Sequence, residues 1–441
     1  MPTPSLLIVP ARFKTGRLYS QIPVPVAPAT TGAGDFTVTR NTTATRLNSA
    51  GAIESVASGI PRLDYSVSGF VTGCPALLVE PAATNEIRNN SNTNAVTGTP
   101  GTLPTNWSET LAGLTRSVIA LGAENGVQYI DIRFSGTANT TEALINFESP
   151  TQTVAATGQV WTNSCFLKSI SAPAPYTGLR LSIVERTNTG TFVASGNSPD
   201  LTLTSTLNRF SFNRTLSGTG TQRVQPRISF GLVSGTAYNF IVRIGYPQME
   251  LGSVATSVIP TTTGTGSRSA DVISVSGAVS GSIGQTAGTI YCEFAFLGTP
   301  TARSGPIYLR QAASRGMGIN FSPSDSPTGI SFISRNDGGS TVLTIVSGAL
   351  QLGTFYKVAI GYDAAGTAVG GSQASGVVAY VNGVQTAIGT LRVPDAAGLT
   401  EFRMYAASAG SDTEAFNGRI RAAALYTTRL TDAELATLTN P

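Results

Sequence analysis

At 441 residues the chain is too long for one ordinary sandwich and long enough for roughly two to four domains, each with its own core. Forty-eight glycines, 12% charged residues and 41% hydrophobic residues spread along the chain favour many short strands joined by turns, and exclude charge-stitched helices and Gly-rich disorder. A formal net charge of +4 with singly scattered arginines lacks the basic stripe of a nucleic-acid binder, and the absence of histidine removes Ser-His-Asp and Cys-His machinery, His-ligated zinc and the commonest general base near neutrality.

The start, Met1-Pro2-Thr3-Pro4, has no basic stretch followed by an apolar core, so no secretory signal is expected, and no later run approaches the length of a membrane span. The apolar Ser5-Leu6-Leu7-Ile8-Val9 leads into Ile22-Pro23-Val24-Pro25-Val26-Ala27-Pro28. Proline at that spacing removes ladder donors, so the segment reads as an extended arm lying on something else and not as a central strand. Phe36-Thr37-Val38-Thr39, Ala44-Thr45-Arg46-Leu47 and Ile53-Glu54-Ser55-Val56 follow, separated by turn clusters such as Asn48-Ser49-Ala50-Gly51, and predict a small β-meander. Residues 1–90 are expected to form this arm and meander.

From about 91 to 265, strand patterns alternate with polar turns at sandwich spacing. Leu179, Leu181 and Ile183, then Ile228, Phe230 and Leu232, then Phe240, Val242 and Ile244 each place one apolar row inward. Val127 to Phe134 is ambiguous, being partly apolar on both faces. The passage from Thr261 to Gly288 reads as a tethered linker in which Val272, Ile273 and Val275 pair as a strand.

The last region, 266–441, opens on alternating Ile290, Cys292, Phe294 and Phe296 and continues with Tyr356, Val358, Ile360 and Tyr362. Val377 to Val381, Asn382-Gly383 and Val384-Gln385 form a strong hairpin signal, because Asn and Gly tolerate the two positive φ values such a turn requires. Thr431-Asp432-Ala433-Glu434 is a capping box for one short helix, with Leu430 and Leu435 at staple spacing. Cys74, Cys165 and Cys292 fall in three different regions, so they are expected as separate buried thiols, as in a protein made in a reducing cytoplasm.

Three resemblances cover most of the chain. Arg40-Asn41, Ala44-Thr45-Arg46-Leu47-Asn48, Gly51-Ala52-Ile53-Glu54, Pro61-Arg62-Leu63-Asp64-Tyr65 and Cys74-Pro75 through Leu77-Leu78-Val79-Glu80-Pro81 to Asn85 resemble the amino-terminal module of phage head-spike and tail-fibre proteins. Gly245-Tyr246-Pro247-Gln248-Met249-Glu250-Leu251-Gly252, Ala255 to Pro260 and Arg268-Ser269-Ala270-Asp271 resemble the closing strand and exit of carbohydrate-binding jelly rolls, and Asn106-Trp107 fits the start of such a module. Phe416-Asn417-Gly418-Arg419-Ile420 through Leu425-Tyr426 to Glu434 is similar to the end of concanavalin-A-like, laminin-G-like domains. Together they imply an all-β chain of arm and meander, jelly roll, and lectin-like sandwich with one short carboxy-terminal helix.

The resemblances also imply a bacteriophage virion surface protein, a fibre, spike or decoration made in the host cytoplasm. It would be held to other virion proteins through its amino-terminal arm, adhere to host glycan, and assemble as a homo-oligomer, a trimer being favoured. No membrane insertion or cofactor is expected. The alternatives are a purely structural decoration and a glycan depolymerase.

Sugar binding calls for an exposed aromatic ring, which nominates Trp107, Tyr129, Trp161 and Tyr308, although aromatics at strand spacing also serve as core. Glycoside hydrolysis needs two carboxylates across the scissile bond, whereas Glu293 stands alone at an expected solvent-facing position and Asp325 and Asp363 are isolated. No catalytic residue is therefore nominated. Asn336-Asp337-Gly338-Gly339 offers a calcium-type loop through Asp337 but no second acidic loop, and a plain turn is the expected reading.

Overall fold

The computed structural model describes residues 2–10, 13–20, 35–65, 75–171, 176–277, 280–298, 304–312, 315–322, 326–336, 339–346, 351–365, 376–391, 398–404, 406–407 and 416–441. The chain is all-β with one short helix, and it divides into two compact units, Met1–Gly51 with Ser55–Ala82 and Ser269–Pro441, and Ala52–Glu54 with Ala83–Arg268. The Ile22 to Pro28 arm, Cys74, Asp325 and Asp337 lie outside the described residues.

The first unit is a sandwich of two antiparallel sheets. One runs Val384–Gly389, Val377–Val381, Tyr356–Asp363, Ala287–Phe296, Gly418–Tyr426, Ala76–Val79, Arg62–Asp64, with Leu6–Ile8 also on Gly418–Tyr426. The other runs Phe13–Lys14, Arg17–Leu18, Phe36–Thr39, Val272–Ser276, Glu401–Arg403, Ser304–Ala312, Arg315–Ser322, Ser326–Asn336, Gly339–Val346. Alternation does the sorting: Ile290, Cys292, Phe294 and Phe296 point to the inter-sheet core with Val358 and Ile360, while Tyr291 faces the opposite way, onto Leu430 and Leu435.

Among the described residues Ala44–Leu47 and Ile53–Val56 of the expected meander pair as a two-stranded sheet, whereas the other strands from residues 6–79 sit inside the two sheets of this unit. The reason is area. Strands of three or four residues cannot bury their own apolar faces, and Leu6, Ile8, Phe36, Val38, Leu63 and Leu77 do so in the same core as Phe294 and Phe402. Part of the expected linker is likewise a strand, Val272–Ser276, paired on one side with Phe36–Thr39 and on the other with Glu401–Arg403.

At the Asn382-Gly383 turn both residues have positive φ, 48° and 83°, as the hairpin requires. The helix spans Asp432–Leu438; Thr431 accepts from the Glu434 amide and the Glu434 carboxylate accepts from the Thr431 amide. Thr431→Ala is expected to cost about 1 kcal/mol of local stability, read as faster amide exchange over 432–438 with the sheets unaffected.

In the second unit a five-stranded sheet runs Thr115–Glu124, Val127–Thr137, Ala237–Leu251, Val160–Ser169, Asn208–Thr215. It packs on a sheet running Ser108–Thr110, Glu142–Asn146, Arg223–Gly231, Gly178–Arg186, Phe192–Asn197, with Thr153–Val154 added to Arg223–Gly231. The ambiguous strand resolves by register. Ile130, Ile132 and Phe134 lie opposite Ile244, Val242 and Phe240 in the core, leaving Tyr129, Asp131 and Arg133 on the outer face. Ala83–Asn85 pairs with Gly266–Arg268, so the unit reaches beyond 91–265 at both ends. Cys165 and Cys292 are buried, unbridged thiols, each with its pKa pushed up by burial.

Candidate functional site

Arg40, Arg62 and Glu80, from the segment that resembles head-spike modules, meet Asp271, from the jelly-roll-type exit segment, in a buried charge network of the first unit. Asp271 Oδ1 accepts from Arg40 at 3.0 Å and from Arg62 Nε at 3.3 Å; its Oδ2 accepts from the Glu80 amide at 3.0 Å and from a second Arg62 nitrogen. Arg62 also donates to Glu80 Oε2 at 2.6 Å and to the Thr45 carbonyl. Arg40 donates to the carbonyls of Thr42, Val56, Ala57 and Ile60. Burial alone lowers the Arg62 pKa, but the Asp271 and Glu80 carboxylates outweigh it and the net direction is up. These side chains face one another and present nothing to a ligand, so the network joins distant segments of chain.

In the second unit Asn85, which ends the head-spike-type segment, and residues of the jelly-roll-type segment are likewise bonded internally. Asn85 accepts from the amides of Ile87 and Met249 and donates to the Ile259 carbonyl. Arg268 donates to the hydroxyls of Thr256 and Ser257, and Thr256 donates through its amide and hydroxyl to buried Glu250.

The four nominated aromatics part company. Trp107 is 8% exposed, packs edge-on to Phe147 at 4.9 Å and donates to the Asn89 carbonyl; Trp161 is 3% exposed and donates to Gln159. Both indoles are core, with their N–H groups satisfied internally, and neither presents a face for stacking. Tyr129 is half-buried on the outer face of the five-stranded sheet, with the Arg243 guanidinium carbon 3.4 Å from its ring centroid. Arg243 in turn grips Asp131 at 2.8 Å through two nitrogens and also Glu124, which accepts from Lys168. The Lys168 hydrogen bond is the largest cause holding the Glu124 pKa down. One face of Tyr129 is thus already covered.

Tyr308 belongs to the first unit. Ile307 and Leu309 beside it enter the core, so its ring lies on the outer face of the sheet that runs from Phe13–Lys14 to Gly339–Val346, where it is half-buried. It sits opposite Gly318 on one neighbouring strand and Arg403 on the other. A Cβ at Gly318 would fall 2.8 Å from its Cδ2 and one at Gly316 3.0 Å from its Cε1, so the ring spans two positions that lack side chains. Glu401 beside it accepts from Arg310 at 3.2 Å and from Arg403 at 2.8 Å.

Glu293 and Asp363 are both engaged. Glu293, expected to face water, is only 7% exposed and bound to Arg421 at 2.6 Å, because Arg421 folds over it while stacking on Phe355 at 3.9 Å. Asp363 accepts from the Ala365 amide. Among the described residues two acids have raised pKa values. Glu250 is raised by full burial; Glu86 is raised by burial and by its neighbour Glu148, which is itself buried and clamped by Arg88.

One feature had no sequence signal. In the second unit, where Val160–Ser169 leaves its sheet and Gly178–Arg186 begins, a cavity of about 530 Å³ is lined by Ser169, Ile170, residues 176–179 and residues 200–205. Tyr176 packs edge-on against Phe230 and Phe240, at 5.7 and 5.2 Å, and its phenolic oxygen is buried with no hydrogen-bond partner. Burial pushes its pKa up to about 12. Nothing in the sequence around Tyr176 marks a site, because residues 200–205, which complete the lining, lie well beyond it in the chain.

Residues 280–436 match the family model of the concanavalin A-like lectin/glucanases superfamily. No curated protein matches the chain. Among solved structures it is similar to the CBM40 of Ruminococcus gnavus IT-sialidase bound to alpha2,3 sialyllactose, with 18% identity, 36% of this chain and 84% of that one covered, and a TM-score of 0.29. It is also similar to domain 4 of AbnA, a GH43 extracellular arabinanase from Geobacillus stearothermophilus in complex with arabinotriose (14% identity, 43% and 84% covered, TM-score 0.30). A third is Trypanosoma rangeli sialidase in complex with sialic acid (10% identity, 92% and 77% covered, TM-score 0.29). With TM-scores this low, nothing about ligand or activity is carried from them to this chain.

Proposed function

We propose that this chain is a bacteriophage virion surface protein, a fibre, spike or decoration, that holds host-surface glycan without cutting it. The virion assignment rests on the resemblance of residues 36–85 to head-spike and tail-fibre modules. Glycan binding is supported by the lectin-type family match over 280–436 and carried by one observation inside it: the Tyr308 ring laid across Gly316 and Gly318, with Arg310, Glu401 and Arg403 beside it. A ring against the sheet with donors and acceptors at its rim is the arrangement that takes the C–H face and hydroxyls of a pyranose.

Cutting is disfavoured by chemistry. A glycosidase needs a protonated carboxyl with a carboxylate across the bond, and Glu401 at this face is bound by two arginines. Glu86 and Glu148, the pair with a raised member, present only a half-buried and a buried side chain. Several copies on a particle, a trimer being the favoured oligomer, would bind avidly even through weak single sites.

Labelled protein on glycan arrays and host cells tests the reading. Wild type is expected to bind, and Tyr308→Ala to bind about tenfold more weakly while still unfolding cooperatively. Blank arrays and unlabelled cells with wild type leave the architectural role instead, and shortened capsule or lipopolysaccharide establishes the depolymerase.

A further inference from the structure

We infer that the outer face of the sheet running from Ser108–Thr110 to Phe192–Asn197 binds an acidic oligosaccharide, one whose sugars carry carboxylate or sulfate, through Arg186, Arg223 and Arg227. The face belongs to the second unit and shares no residue with the Tyr308 site, so it stands or falls apart from the reading above.

Arginines scattered in sequence are gathered here by strand register. Val224, Ile228, Leu181 and Ile183 enter the core, so Arg223, Arg227 and Arg186 point the other way. Arg223 lies directly opposite Arg186, with Val154 beyond the one and Phe192 beyond the other, a row across four neighbouring strands. Like charges directly opposite one another destabilise a sheet, and among the described residues no carboxylate forms an ion pair with either. Arg186 is held by the Gln225 side-chain oxygen at 3.2 and 2.7 Å and by the Gly190 carbonyl, and Arg223 by the Asn188 side-chain oxygen at 3.1 and 2.6 Å. These acceptors are neutral, so they fix the guanidinium forks without cancelling their charge. Arg227 has less still. Among the described residues nothing hydrogen-bonds to its guanidinium: its Nε is buried without a partner, and the half-buried side chain keeps its terminal nitrogens at the surface. Elsewhere in the unit Arg88, Arg116, Arg180, Arg214 and Arg243 each grip a carboxylate.

Electrostatics sets the sign of the ligand. Burial lowers the Arg227 pKa more than the Glu142 carboxylate raises it, and burial together with Arg227 lowers the Arg186 pKa, so an oxyanion set between them stabilises both cations. The planar guanidinium fork matches carboxylate and sulfate. What surrounds the arginines favours a saccharide over a nucleic acid. Phe192, at the end of the row, is 57% exposed and open to the C–H face of a sugar, and Ser195 and Asn197 on its strand add a hydroxyl and an amide to the same face. Glu142 and Asp200 stand toward the Gly231 and Gly178 end of that face. They repel a backbone charged at every phosphate, whereas an acidic glycan can set its charge among the arginines and turn neutral sugar toward the acids.

Calorimetric titration of the full chain with trigalacturonate, sulfated maltotriose, the methyl ester of trigalacturonate, maltotriose and hexathymidylate tests this. At least one acidic trisaccharide is expected to bind, and to bind about tenfold more tightly than either neutral one. Arg227→Gln is expected to weaken that binding about tenfold while the melting temperature stays level or rises, since the change removes a partly buried charge and breaks no bond. A merely structural arginine gives the opposite pair of results. Tyr308→Ala keeps the preference for the acidic trisaccharide, which separates the two sites. Binding of neither acidic trisaccharide, equal binding of the neutral ones, undiminished binding or a lowered melting temperature for Arg227→Gln, or loss of the acidic preference in Tyr308→Ala overturns the inference. Tightest binding of hexathymidylate also overturns it and marks a nucleic-acid surface instead.

Discussion

Asp271→Asn is expected to lower the stability of the unit built from Met1–Gly51, Ser55–Ala82 and Ser269–Pro441 by about 3–5 kcal/mol, the cost of breaking a buried ion pair by removing one partner. Asp271 accepts from two arginines that are themselves buried, and through its own amide and carboxylate it also binds the Glu80 backbone. Removing the charge takes from Arg40 and Arg62 the carboxylate that they share, while Arg62 keeps its bond to Glu80. The partners come from residues far apart in the chain, so the loss is felt as global unfolding and not as a frayed loop. Urea denaturation against wild type reads it. A shift below about 1 kcal/mol, the scale of an exposed ion pair, would mean that water reaches these groups and that the network contributes little.

Phe240→Ala is expected to cost the second unit about 3–5 kcal/mol, from lost transfer free energy and the hole left behind. Phe240 stacks on Phe134 at 5.2 Å and touches Phe230 at 5.6 Å, Tyr176 at 5.2 Å and Tyr238 at 6.4 Å, so no other side chain can collapse into its place without giving up a ring contact. Phe240→Leu, which keeps most of the volume, is expected to cost less than half as much. Denaturation midpoints of the two variants give the comparison, and equal, small shifts would show the cluster to be loosely packed.

How much of this was legible depended on range in sequence. Thr431 to Glu434 and Asn382-Gly383 appear as read, because a capping box and a two-residue turn are settled by neighbours a few positions away. The inward rows Leu179–Ile183 and Phe240–Ile244 were equally clear, since one face of each strand is apolar. Val127 to Phe134 was not, and its choice of face came from pairing with Ala237–Leu251, more than a hundred residues on. The nominated aromatics show the same limit from the other side: composition marks a tryptophan as valuable, but only packing decides whether Trp107 is wall or platform.

By itself, then, the amino-acid order determined an all-β chain with one capped helix, a histidine-free inventory, and local turns whose φ values only Asn and Gly accept readily. Tertiary structure alone decided that strands such as Leu6–Ile8, Phe36–Thr39 and Ala76–Val79 complete the last domain's sheets, that Arg40, Arg62, Glu80 and Asp271 meet, and that Tyr176 lines a cavity. The physical reason is that hydrogen-bonded turns and alternating faces are properties of a few consecutive residues, whereas strand partners, buried charge pairs and cavities arise where distant segments compete to bury the same apolar surface.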